Sequence, residues 1–272
     1  MFKCGKCIET ATQPSCREEF LRLPGDFAGE PEPSDVPVRM GRRQLILWLA
    51  TLSAGCVTPL PAPLGRSRPD PVVVPPVRPP KLGQTWTYGV RNVFNGQPID
   101  SLTETVLSVG DKIRIGRVSG HAGPFREEEI QGPWGMILQD PHWTPMVTFS
   151  SALPLWPQEL KTGWNRDYYT RYEIPGLKGS LFDWRLSMTV LGWEDLVVGA
   201  GTFRTLKFFN HIRFQSHEFY YRLSSERMET LWFVPEIGRW AMRRSSGVYY
   251  IEGFGSRMRE DDLEWSLQSM SG

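Results

Sequence analysis

From Lys81 onward the chain alternates between hydrophobic and polar positions, and Gly, Asn, Asp or Pro separates the alternating segments. A period of two predicts antiparallel β-strands rather than helices. The first strand places Trp86 and Tyr88 on one face. The Asn95-Gly96 pair then predicts a two-residue type I′ hairpin, because both residues tolerate a positive φ.

The second strand, over about 99–109, places Leu102, Glu104, Val106 and Ser108 on one face. It turns at Gly110-Asp111 into a third strand over 112–118, and the three strands form a meander. The same pattern predicts further strands over 125–130, 134–139, 146–149, 164–174, 181–193, 202–214, 228–234, 239–244 and 248–254. Residues 260–270 combine an acidic, helix-like start with alternating apolar positions, and we favour a strand there.

About twelve strands in the 192 residues of 81–272 predict one all-β domain, built as an antiparallel twisted sheet or a partly open β-barrel. The domain holds 29 aromatic residues and no cysteine. We therefore expect packing, not disulfides, to stabilise it.

Residues 40–56, MGRRQLILWLATLSAGC, have the composition of a bacterial export signal. Two arginines precede an apolar run over 45–54, which is too short to remain as a membrane-spanning helix of about 20 residues. Small residues then lead to Cys56. We expect the segment to be cleaved.

The end of this signal resembles the lipobox of bacterial lipoproteins. The match covers Leu52, Ser53, Ala54, Gly55 and Cys56, with Ser53 where the family usually has leucine. The resemblance implies that the Cys56 thiol carries acyl chains such as palmitate and becomes the new amino terminus. The alternative is an ordinary signal peptide beside an incidental cysteine.

Two features of the signal bear on export and sorting. Arg42 and Arg43 resemble a loose twin-arginine motif, which implies export in a folded state, although general export signals also carry paired arginines. Val57 follows Cys56 where an aspartate retains many lipoproteins in the inner membrane. We therefore expect a protein anchored in the outer membrane and facing the periplasm.

Two segments flank the signal. Residues 1–39 are polar and hold Cys4, Cys7 and Cys16. We expect translation to start at Met40, and a zinc site built on these cysteines lacks a fourth ligand nearby. Residues 57–80 contain nine prolines in 24 positions, which predicts a semi-rigid spacer between the acylated Cys56 and the domain.

Two stretches of the domain resemble uncharacterised exported bacterial β-proteins, many of them lipoproteins. The first, residues 190–208, contains the turn residues Gly199 and Gly201, and the second, residues 231–240, contains Pro235 and Gly238. The resemblance implies a similar strand layout but no known activity. Both motifs have the composition of turns rather than of a phosphate-binding loop.

The charge balance, 31 basic against 30 acidic residues, predicts no nucleic-acid partner. His211 and His217 lie six residues apart and would share one face of an unbroken strand, which makes them a weak metal candidate. His142 lies in a predicted turn. No nucleophile elbow or Ser-x-x-Lys pair is present.

Two clusters of charge are predicted to be solvated. Glu127-Glu128-Glu129 falls on a predicted edge strand, where charges prevent unwanted pairing, with cation binding as the alternative. Arg239, Arg243 and Arg244 form a basic cluster that could meet lipid headgroups.

Taken together, the sequence favours a membrane-anchored envelope lipoprotein that acts as a non-catalytic binding or structural module without a cofactor. Its partners would be the membrane, reached through acyl chains, and an envelope protein. A carrier of lipid or another apolar ligand in a half-barrel cavity is the alternative, and an envelope hydrolase is the third possibility.

Overall fold

The computed structural model describes residues 65–272 apart from 219–221, 252 and 254, and apart from the side chain at 261. The predicted signal, with Arg42, Arg43 and Cys56, lies outside the described residues. So do its residues 52–55, the preceding segment with its three cysteines, and the first part of the predicted spacer.

Fourteen strands and one short 3-10 helix make up the described chain. No helix there has the length and apolar character to span a membrane. The strands are β1 (Gly65–Arg68), β2 (Thr85–Asn92), β3 (Pro98–Ser108), β4 (Ile113–Ser119), β5 (Gly123–Pro124), β6 (Glu129–Gln131), β7 (Met136–Asp140), β8 (Val147–Pro154), β9 (Asn165–Glu173), β10 (Phe182–Val198), β11 (Gly201–Phe214), β12 (Arg222–Val234), β13 (Arg239–Ile251) and β14 (Arg257–Ser271). The 3-10 helix, Pro235–Ile237, joins β12 to β13.

Twelve of these strands close into an antiparallel β-barrel. The order runs from β10 through β14 to β2, then through β3, β4 and β6 to β9. The circle closes because the first half of β10, residues 182–189, pairs with β9. The predicted all-β fold is confirmed, and the barrel is closed rather than partly open. Closure leaves no long unpaired edge.

Alternation places the apolar side chains inside the barrel. Trp86 and Tyr88 share the buried face of β2, as the sequence predicts, and Leu102 and Val106 share the buried face of β3. The strand expected over 260–270 is confirmed as part of β14. The two strands expected over 239–244 and 248–254 are instead one continuous strand, β13.

The hairpin at Asn95-Gly96 is confirmed, but the predicted two-residue type I′ turn is wrong. Gly96 has a φ of 71°, whereas Asn95 keeps a negative φ. The Asn92 carboxamide oxygen accepts the N–H of Phe94 at 2.8 Å, and the Gln97 carbonyl accepts the N–H of Asn92 at 2.9 Å. These side-chain and backbone bonds stabilise a wider, five-residue connection.

The hairpin of β10 and β11 extends beyond the barrel wall. β10 has a bulge at Val190–Gly192, and the tip at Gly199 and Gly201 reaches β14, where the Ala200 N–H donates to the Leu267 carbonyl at 3.0 Å. The Trp232 indole donates to Glu194 of the hairpin at 2.9 Å. The hairpin therefore covers outward-facing side chains of the neighbouring strands.

The second part of the predicted spacer packs against the barrel. β1 pairs with residues 193–196 of β10. Residues 69–80, which we call the strap, then cross one end of the barrel. The Arg78 N–H donates to the Pro235 carbonyl at 2.8 Å, and the Trp134 indole donates to the Arg78 carbonyl at 3.0 Å. A spacer over the whole of 57–80 is therefore wrong, because prolines remove donors but leave carbonyls and apolar rings free to pack.

We expect Gly238→Ala to destabilise the barrel by at least about 2 kcal/mol. Gly238 has a φ of 66°, which costs an L-residue about 1 kcal/mol or more. An added Cβ would also press on the Arg78 carbonyl and lie 3.1 Å from the Trp134 ring. Gly96→Ala is the matched control, since its φ is 71° but the space around it is open. Equal losses in chemical unfolding would contradict the strap contact.

Candidate functional site

The candidate site is a network of charged side chains inside the barrel. Glu104 on β3, Glu129 on β6 and Arg239 on β13 are all 0% exposed. Arg239 donates to both carboxylate oxygens of Glu129, at 2.8 and 2.6 Å, and through Nε to Glu104 at 3.0 Å. One planar guanidinium thus holds two carboxylates from two other strands, which is the geometry that favours arginine over lysine.

His142 extends the network from the loop between β7 and β8. Its Nε2 lies 2.9 Å from Glu104 Oε1, and its Nδ1 lies 2.8 Å from Asp140 Oδ1. An ionised carboxylate only accepts hydrogen bonds, so each of these contacts needs an N–H donor on the ring. The edge of the ring packs against Trp240.

A second buried pair adjoins the first. Arg243 on β13 lies 2.5 Å from Glu229 on β12, and both are nearly fully buried. Asp140, His142, Asn210, Glu229 and Arg243 line a cavity of about 50 Å³, and the rest of its lining is apolar or aromatic. The Asn210 carboxamide oxygen and the Arg243 Nε are buried without a hydrogen-bond partner.

The pKa shifts follow from these contacts. Burial alone would raise the pKa of Glu104, but the Arg239 charge and the His142 hydrogen bond outweigh it and lower that pKa to about 2. The pKa of Asp140 is lowered in the same way, because the charge and hydrogen bonds of His142 outweigh burial. Burial would lower the pKa of Arg239, and the two carboxylates raise it instead.

Glu104, Glu129 and His142 offer ligand atoms within 4.8 Å of one another, and they form the one such group among the described residues. The residues do not fit a metal ion well. Arg239 already contacts both carboxylates at 3.0 Å or less, so a cation there would meet a like charge. The geometry is that of an ion-pair network.

The structure does not bring together His211 and His217, the weak candidate for a metal site in the sequence. β11 ends at Phe214, so no continuous strand joins His211 to His217. His211 instead contacts Glu226 on β12, with Nε2 3.1 Å from the carboxylate. His217 lies in the turn that follows the strand. The expected common face therefore does not exist.

Two expectations about charge are corrected. Glu129 does not protect an edge, because the barrel is closed and β6 pairs on both sides. Arg239 and Arg243 are buried instead of solvated, and of that cluster Arg244 alone is partly exposed. His142 lies in a loop as predicted, but its side chain is 5% exposed. Of these buried charged residues, only Glu104 could have been recognised from the alternating pattern, since it shares a face of its strand with Leu102 and Val106.

A second concave region lies on the outside of the barrel. It is an open groove of about 990 Å³ near the end of β11, and Tyr169, Arg171, Arg185 and Arg213 contribute polar and aromatic groups to it. Two of its arginines are engaged by carboxylates, Arg185 with Asp167 at 2.7 Å and Arg171 with Asp183 at 3.4 Å. The groove is wide and shallow, unlike an enclosed ligand site.

No protein-family model and no curated protein matches the chain. Three solved structures are similar to it in architecture. A “putative lipoprotein” from Parabacteroides distasonis has a TM-score of 0.46 at 12% identity, over 70% of this chain and 96% of that one. A “putative exported protein with YmcC-like fold” from Bacteroides fragilis has a TM-score of 0.48 at 12% identity, over 73% of this chain and 100% of that one.

The hypothetical lipoprotein YmcC from Escherichia coli has a TM-score of 0.37 at 10% identity, over 70% of this chain and 89% of that one. Both the identities and the TM-scores are low.

Proposed function

We propose that the chain is a bacterial envelope lipoprotein whose β-barrel acts as a non-catalytic binding or structural module. The observation that carries this proposal is the run from Arg42 to Cys56, in which an apolar segment and small residues lead to a cysteine. Acyl chains on that cysteine would anchor the protein, with about 0.8 kcal/mol from each buried methylene. Val57 supports sorting to the outer membrane, with the barrel in the periplasm.

The interior of the barrel supports a non-catalytic module. His142, the residue best placed for acid–base chemistry, is buried, and both of its ring nitrogens already contact carboxylates. A general base must reach the proton that it abstracts from a substrate. The neighbouring cavity of about 50 Å³ has several polar residues in its lining and has room for a few waters.

The same cavity argues against the carrier hypothesis. Pockets that enclose ligands of ordinary size measure roughly 300–1,000 Å³ and are mostly apolar. The cavity described here is several times smaller, and Asp140, Glu229 and Arg243 line it. The cavity could enclose an acyl chain only if the barrel opened.

We expect Cys56→Ser to remove the protein from the membrane fraction, because serine lacks the thiol that would carry the acyl chains. Expression from the native start, followed by membrane fractionation with a high-salt wash, tests this outcome. Thr58→Ser is the matched control, because it changes a residue beside the signal but keeps the Cys56 thiol, so it should leave fractionation unchanged. Wild type and Cys56→Ser that fractionate alike would contradict the anchor.

A further inference from the structure

Three consecutive valines stand exposed on the strap. Val72, Val73 and Val74 are 104%, 80% and 46% exposed, and Pro71 and Pro75 flank them. Scattered apolar residues on a surface are ordinary, but three consecutive exposed valines held between prolines are a specific surface feature. The chain bends at Val72 and Val73, and Pro71 and Pro75 restrict the backbone on either side of the bend.

The strap is fixed to the barrel on both sides of the valines. Before them, the Thr162 N–H donates to the Asp70 carboxylate at 3.1 Å, and Arg204 donates to the Pro69 carbonyl at 2.9 Å. After them, Arg78 bonds the 3-10 helix at Pro235. The valines are therefore exposed although the segment that carries them is anchored.

All these contacts lie at one end of the barrel. Because successive strands alternate in direction, the connections 109–112, 132–135, 155–164 and 235–238 share that end with the strap and Gly272. Exposed Leu82 and the exposed Lys81, Lys112 and Lys161 belong to the same end. Acidic residues 111, 159 and 236 also lie there and offset the charge of the lysines. The exposed valines are therefore the main feature of this end that favours a lipid surface.

The chain connects this end directly to the predicted acylation site. Eight residues, 57–64, separate Cys56 from Gly65, the first residue of β1. Fully extended, such a segment spans at most about 30 Å. An acylated Cys56 would thus keep the strap within reach of the lipid, whereas the opposite end of the barrel carries no such tether.

We infer that the strap end docks on the bilayer, with Val72–Val74 entering the interface between headgroups and acyl chains. This inference rests on the proposed acyl anchor, and it adds an orientation to it. The lipid surface takes up the apolar triplet, and the lysines around it face the phosphates. The barrel then stands on the membrane at a fixed angle instead of moving freely on a tether.

The test places an environment-sensitive fluorophore on Val73→Cys or on the matched control Phe94→Cys. Phe94 is 84% exposed in the hairpin at the opposite end of the barrel. In the processed protein an acylated Cys56 is blocked and the three upstream cysteines are removed, so each variant carries one free thiol. The labelled proteins are reconstituted in vesicles of phosphatidylethanolamine and phosphatidylglycerol.

We expect the label at position 73 to shift to shorter wavelength on vesicles and to be quenched by lipid-borne quenchers, while the label at 94 stays in water. A label at 73 that stays in water, or equal shifts at both positions, would overturn the docking. A shift at 73 that needs high protein concentration but no vesicles would indicate a second copy of the chain, and it would also overturn the inference.

Intact mass of the same samples separates this inference from the anchor. An acylated protein whose position 73 stays in water keeps the anchor and loses the docking. A protein whose intact mass shows no acyl chains loses the anchor. The label at position 73 is then read in a Cys56→Ser background, so that the Cys56 thiol is not labelled as well, and its insertion on vesicles keeps the docking.

Discussion

Arg239→Met is expected to lower the free energy of unfolding by about 3–5 kcal/mol. The substitution preserves most of the side-chain volume but leaves Glu104 and Glu129 in the interior without the cation that contacts both. Such a loss is a large part of the roughly 5–15 kcal/mol that a domain of this kind has in total. Urea unfolding followed by tryptophan fluorescence measures it.

Two variants make this experiment specific. Arg244→Met removes a partly exposed arginine from Glu264, which keeps Arg91 at 2.7 Å, so the loss should stay below about 1 kcal/mol. Adding Glu104→Gln and Glu129→Gln to Arg239→Met should recover part of the stability, because no buried charge then remains unpaired. A loss at Arg239 no larger than that at Arg244 would contradict the buried network.

Acid should unfold the barrel through the same network. The pKa of Glu104 is about 2 in the folded protein against an ordinary 4.5, so the unfolded chain binds the proton more readily. The stability from this carboxylate is therefore complete above about pH 5 and is lost as the pH falls from 5 to 2. The difference corresponds to about 3 kcal/mol, and the lowered pKa of Asp140 adds in the same direction.

Unfolding free energies measured from pH 7 to pH 3 test the acid prediction. Glu104→Gln should be less stable than wild type at pH 7 but should lose less stability on acidification. Glu128→Gln is the control, since Glu128 pairs with Arg114 at the surface and its removal should leave the slope as in wild type. If the slopes of wild type and Glu104→Gln coincide, Glu104 is not the carboxylate that links folding to pH.

Local pattern was enough to predict most of the strands. Alternation in β2 and β3 placed Trp86, Tyr88 and Leu102 correctly, because a half-buried strand must put every second side chain in the core. The alternating pattern could not predict that the barrel closes, since closure depends on pairing between β9 and the first half of β10. The Asn95-Gly96 turn also differs, because the side chain of Asn92 stabilises a longer loop.

The strap and the buried charges were harder to predict for physical reasons. A proline-rich composition indicates extended backbone but does not say whether that backbone is solvated or packed, and Arg78 lies against Trp134 and Pro235. Charged residues are normally exposed, so Arg239 and Glu129 were assigned to the surface. They are buried because each neutralises the other, a relation across more than a hundred residues that no local pattern contains.

The proposed anchor requires that Cys56 is the acylated amino terminus of the mature protein. Intact mass of the protein extracted from membranes after expression from its native start tests it directly. We expect a chain that begins at Cys56 and carries the additional mass of acyl chains. A chain that retains residues 1–55, or one cleaved near Cys56 without added mass, would contradict it.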